Sequence, residues 1–166
     1  MVVRHVYGTM VTMTTYGTWL RGDERGWVED GRTFPADPDL EAADRARMKH
    51  PPFRFHPEGL LDIGAAIGKS LQERLHQRIL ALTVQTWHVH FVVSESDKPI
   101  SQVVKCAKDA VRYHLRAGRP LWTENCDKRF CFDEQSLRNR IRYVERHNTE
   151  RGWPPQPWPF IIPFDP

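Results

Sequence analysis

The chain has little cysteine, no long apolar run and no internal repeat, and each shortage removes a class of protein. Cys106, Cys126 and Cys131 are an odd number, and no secretory signal precedes them. That pattern fits a reducing, cytoplasmic setting and excludes a disulfide framework. Cys126 and Cys131 are too widely spaced for a CxxC pair, and no second pair completes a structural zinc site. No stretch approaches the ~20 apolar residues of a membrane span. Nor is there a complete phosphate loop. Gly64, Gly68, Lys69 and Ser70 approach one, but the glycine spacing is one residue short and no strand leads in, which argues against an ATP site.

What is present suits one domain over residues 1–166, with 40% hydrophobic residues to build a core. The net charge of +3 is unevenly spread. Residues 101–151 carry 12 Lys/Arg against 7 Asp/Glu, while residues 21–62 carry 7 against 10. A basic C-terminal half suits a polyanionic partner, although a solvated helix face has the same composition.

Val6 to Thr15 reads as a strand, and Gly17 to Trp27, with three glycines, as a structured loop. Residues 28–58 form an acidic, Pro-rich excursion with one short helix near 40–48. A helix is expected over 60–77, because Ile63, Ile67, Leu71 and Leu75 form an i, i+4 row. Two strands follow, at 78–85 and 87–95. A helix spans 99–117, a strand or hairpin 121–132, and a last helix 133–151, capped by Asp133 and stopped at Gly152. The tail, 153–166, has six prolines and two tryptophans and is neither helix nor central strand. This order predicts an α+β fold, a ferredoxin-like antiparallel sheet with helices on one face.

Side chains alternate along a strand, so Trp87, Val89, Phe91 and Val93 are expected on the core face, and His88 and His90 together on the other. Two imidazoles about 7 Å apart can converge on one metal ion, though such a pair is also common on a solvated face. In the last helix Leu137, Ile141 and Val144 mark the buried stripe. Tyr143 and His147, at i and i+4, stack about a quarter-turn from it. If this helix lies across the sheet, a phenol and a third imidazole reach His88 and His90. Read without that meeting, they are a packed tyrosine and a surface histidine.

These elements resemble the HUH-type single-tyrosine transposases, including the REP-associated tyrosine transposases. His88-Val89-His90 is similar to the family's His–hydrophobic–His strand. Tyr143-Val144-Glu145-Arg146-His147, some 55 residues later, is similar to its tyrosine-bearing helix. The Gly17 to Trp27 loop and Trp158-Pro159-Phe160 resemble further parts of one branch. Two positions depart from the pattern. His147 stands where the group has Gln or Asn, and Thr86-Trp87 stands where it has an Asn-bearing loop.

The resemblance implies a metal-dependent nuclease and strand transferase that acts on single-stranded DNA or a DNA hairpin. Tyr143 would be the nucleophile, and a covalent 5′-phosphotyrosine would store the bond energy for resealing. The metal ligands would be His88, His90 and His147. The cofactor is Mn²⁺ or Mg²⁺, with three nitrogen donors favouring Mn²⁺. A homodimer is possible. Candidate DNA contacts are Arg21, Arg25 and Trp27 in the loop, Lys128 and Arg129 with neighbouring Trp122, and Arg140 and Arg146 beside the tyrosine. A free phenol has a pKa of ~10, a deficit of roughly 4 kcal/mol at neutral pH that a cation can offset in part.

Tyr113 is the rival nucleophile, but four residues on stands Ala117, which cannot ligate a metal. One alternative is a domesticated relative that binds hairpins without cutting. Another is a zinc hydrolase, disfavoured because its only nearby base, Glu145, is on the wrong side of the helix.

Overall fold

The computed structural model describes residues 2–165. In chain order it has β1 (Gly8–Thr14), β2 (Trp27–Glu29), β3 (Arg32–Phe34), α1 (Pro38–Arg47), α2 (Leu60–Leu75), β4 (Ile79–Val84), β5 (His88–Ser94), α3 (Ile100–Leu115), β6 (Asp127–Cys131) and α4 (Glu134–Glu150). Four strands make one antiparallel sheet in the order β4-β5-β1-β6. The two seven-residue strands, β1 and β5, are therefore central. The expected α+β class and ferredoxin-like sheet are both present.

Both faces of the sheet are covered. Val11, Met13, Val89, Phe91, Val93, Leu82 and Val84 pack under α2 and α3, against Ile63, Ile67, Leu71, Val103, Ala107 and Val111. Met10, Leu80, Ala81 and Val92 face the other way and are covered by Leu137 and Val144 of α4. The expectation of helices on one face therefore holds for α2 and α3 but not for α4. The reason lies in the strands' period of two, which leaves a second apolar patch that must also leave water. A bulge between Ile79 and Ala81 enlarges this patch by turning Leu80 and Ala81 the same way. Asp133 accepts from Ser136 N–H at the start of α4, and Gly152 (φ +87°) follows its end.

Two parts of the chain are more ordered than their composition suggests. The excursion contains α1 and a hairpin, β2 to β3, turning on Asp30 and Gly31, both at positive φ. The tail folds back over α2 and the edge of β4. Trp158 donates to Leu61 O at 2.9 Å, and Ile162 N–H donates to Ile79 O at 3.0 Å. A Cβ on Gly64 would strike the Trp158 ring, and one on Gly68 would strike Phe160. The glycines that looked like part of a phosphate loop are thus a groove for two tail aromatics.

Candidate active site

The site lies where β5 meets α4. His88 and His90 share the α4-facing side of β5 with Val92, and α4 brings Tyr143 and His147 over them. The ring centres of His88 and His90 are 4.6 Å apart. His147 lies 5.5 Å from His88 and 5.0 Å from His90. Tyr143 lies 5.5 Å from His90 and 5.0 Å from His147. One ligand nitrogen from each of the three histidines falls within 4.8 Å of the others, so the three could hold a metal ion. Tyr143 is 42% exposed, at the mouth of the cluster. Tyr113 is 72% exposed on α3, a helix on the opposite face of the sheet.

The protonation states suit metal ligation. Burial pushes His88 down to about 3, aided by His147 and by the positive charges of Arg25 and Arg151. Burial pushes His90 down to about 2, aided by the neighbouring histidines. His147 is also lowered, again by burial first, against the pull of Glu150. All three are neutral imidazoles at pH 7, the form that ligates a metal. Two details fit the same role. Thr12 Oγ1 lies 2.8 Å from His90 Nδ1, so a proton held on Nδ1 leaves Nε2 free as a donor. The buried His88 Nδ1 has no hydrogen-bond partner among the described residues, which suits a ring nitrogen that ligates a metal. The donor set, the missing partner and the neutral state all fit a divalent transition metal.

Around this centre the expected DNA-contact residues are distributed unequally. Arg140 is one turn before Tyr143 on α4 and half-buried, while Arg146 is exposed. In the β1–β6 register Arg129 pairs with Met10 and so faces α4, with Asp127 at 2.9 Å. Lys128 pairs with Val11 and faces the other way. Arg21 is engaged by Asp44 through two hydrogen bonds of 2.8 and 2.7 Å. Trp27 stacks on Phe34 and donates to Pro35 O. Trp122 is core: it is buried, packs on Phe55 and donates to Lys108 O.

Some residues near the site were not expected there. Trp87 is not on the core face, because β5 begins only at His88 and the preceding turn rotates it outward. It packs 4.1 Å from His88 and 5.5 Å from Trp19. Arg25 lies over both indoles, 3.9 Å from Trp19 and 5.0 Å from Trp87, and is held by both oxygens of Asp23. Asn148, next to His147, is fully buried and donates to Leu82 O and Pro155 O at 2.9 Å each. Its position beside a candidate ligand on a polar-rich helix was the only sequence signal for that role. Gln85 accepts from Arg151 and donates to the buried Thr83 Oγ1, and Gln85, Arg151, His147 and Glu150 line a shallow cleft of about 380 Å³. Among the described residues no helix is long and apolar enough to cross a membrane, and all three cysteines are free.

No protein-family model matches the chain, and no curated protein matches it in sequence. Its fold is similar to that of a REP-associated tyrosine transposase solved bound to a REP hairpin. The TM-score is 0.52 at 16% identity, over 96% of this chain and 80% of that one.

Proposed function

We propose that this protein is a metal-dependent tyrosine nuclease and strand transferase that cuts and rejoins single-stranded DNA next to a hairpin. The observation that carries this reading is that α4 brings Tyr143 and His147 to 5.5 and 5.0 Å from His90, across two distant segments of chain. The likeness of fold to a hairpin-bound transposase supports it.

A divalent cation held by His88, His90 and His147, Mn²⁺ in preference to Mg²⁺, would polarise the scissile phosphate. The protein's own groups supply positioning and the nucleophile. Tyr143 Oη loses its proton to solvent and attacks phosphorus. The P–O3′ bond breaks, and the departing oxygen takes up a proton to become a 3′-hydroxyl. The DNA stays attached as a 5′-phosphotyrosine ester. Attack by a 3′-hydroxyl reverses the exchange, one phosphoester for another, so resealing needs no nucleotide cofactor. Arg140 and Arg129, on the α4 side of the sheet, would meet the non-bridging oxygens or the flanking phosphates, and Arg146 the strand beyond. Arg25, seated on Trp19 and Trp87, would border the strand's path, with Arg21 and Trp27 keeping that loop in shape and Lys128 serving the far face.

The test is a labelled single-stranded oligonucleotide with a hairpin, incubated with Mn²⁺ and resolved under denaturing conditions. The wild type should form a metal-dependent covalent adduct, Tyr143→Phe should form none, and Tyr113→Phe should behave as wild type. An adduct that survives in Tyr143→Phe rules the assignment out. Hairpin affinity with no adduct under any divalent metal would instead mark a binder that does not cut.

A further inference from the structure

The end of α1 and the residues between α1 and α2 carry a second cluster of basic groups that the nicking centre does not use. Arg45, Met48, Lys49, His50, Pro51 and Pro52 line an open cleft of about 420 Å³. Arg119, from the turn after α3, reaches this strap, donating to Pro51 O and lying over the rings of Tyr16 and Phe53 at 5.8 and 5.2 Å. Arg45 has Glu41 at 2.7 Å, whereas Lys49 and Arg119 form no ion pair among the described residues. The cleft therefore keeps the unpaired charge of Lys49, with that of Arg119 at its edge.

Its position follows from how the strap is stitched to the sheet. Phe53 N–H donates to Tyr16 O at 2.8 Å, and Lys49 N–H donates to the Tyr16 hydroxyl at 3.3 Å. Phe55 N–H donates to Thr86 O at 2.6 Å, one residue before Trp87. Tyr16 follows the end of β1, whose Thr14 pairs with His88. The cleft thus sits at the same end of the sheet as the histidines, and its Met48 and Pro52 abut Gly17, two residues before Trp19, which packs on Trp87. A basic, open, aromatic-edged cleft at the histidine end of the sheet is complementary to a nucleic-acid backbone.

We propose that this cleft binds the phosphate backbone of the DNA arm flanking the cut, so that the substrate runs from the nicking centre, past Trp87 and Trp19, to Lys49. This rests on the reading of the chain as a DNA-cutting enzyme, but its test is separable. The probes are a short single strand spanning the nick and the same strand extended by a hairpin arm. Affinity for each is measured against salt concentration, for the wild type, Lys49→Ala and Lys49→Arg.

Lys49→Ala should bind the extended probe about tenfold more weakly near 0.1 M salt, with the slope of log K against log salt shallower by about 0.9. Binding and adduct formation on the short strand should not change, and Lys49→Arg should restore wild-type values. Wild-type affinity and slope for Lys49→Ala on the extended probe overturn the proposal, as does an equal loss on both probes. If the wild type never forms an adduct, the nicking reading fails, while the salt slopes still decide this one.

Discussion

A buried imidazole serves as a ligand when it is neutral and aimed, and His90 meets both conditions. Its ring is 7% exposed, pushed down to about 2, and within 2.8 Å of Thr12 Oγ1. Thr12→Val removes the hydroxyl while keeping the shape, so calorimetric Mn²⁺ affinity should fall roughly 10–100-fold with little change in thermal stability. An unchanged affinity would show that Thr12 does not orient the ring. The same burial sets a pH dependence. Unfolded histidine takes up a proton near pH 6.5, whereas His88 and His90 resist until about 3 and about 2. Between these limits the unfolded chain binds more protons, so stability of the metal-free protein falls as pH drops below about 6.5. Denaturation midpoints at pH 7.5 and pH 5 should differ in that direction, and by less in a His88→Asn/His90→Asn variant.

At the scale of elements, α4 sets the angle at which Tyr143 meets β5, and Asn148 anchors that helix. Its amide joins α4 to β4 through Leu82 O and to the tail through Pro155 O. Asn148→Leu leaves two carbonyls without their donor and should cost about 2 kcal/mol, read as a lower denaturant midpoint. The groove on α2 gives a second case. Gly64→Ala places a methyl group against the Trp158 ring, so the tail must shift, at a cost on the order of 1–3 kcal/mol. A tryptophan emission spectrum and stability equal to wild type would contradict that packing. The long elements were legible from periodicity, to within a residue or two, because their apolar stripes repeat over several turns. The β2–β3 hairpin was not, since three-residue strands carry almost no period, although Asp30-Gly31 is a hairpin turn pair.

For the whole molecule, the unread step was which face each helix covers. The strand pattern put His88 and His90 opposite Val89 and Phe91 correctly, but α2, α3 and α4 have similar amphipathic stripes, and no stripe names the sheet face it will meet. Only the second apolar patch, Met10, Leu80, Ala81 and Val92, assigns α4 to the histidine side. Trp87 and Trp122 exchanged their expected roles for related reasons. One lies a residue before the strand begins, and the other is drawn into the core by Phe55. The polyanion partner suggested by charge gains physical content only once loops far apart in sequence gather at one end of the sheet.

The central claim is that His88, His90 and His147 share one cation beside Tyr143. Pulsed electron paramagnetic resonance of the protein with one equivalent of Mn²⁺ tests it without DNA. Nitrogen couplings from coordinated imidazoles should appear in the wild type, weaken in His147→Ala and vanish in His88→Ala/His90→Ala, while Tyr143→Phe keeps them all. A bound Mn²⁺ with no nitrogen coupling, or couplings that survive removal of His88 and His90, would contradict the account.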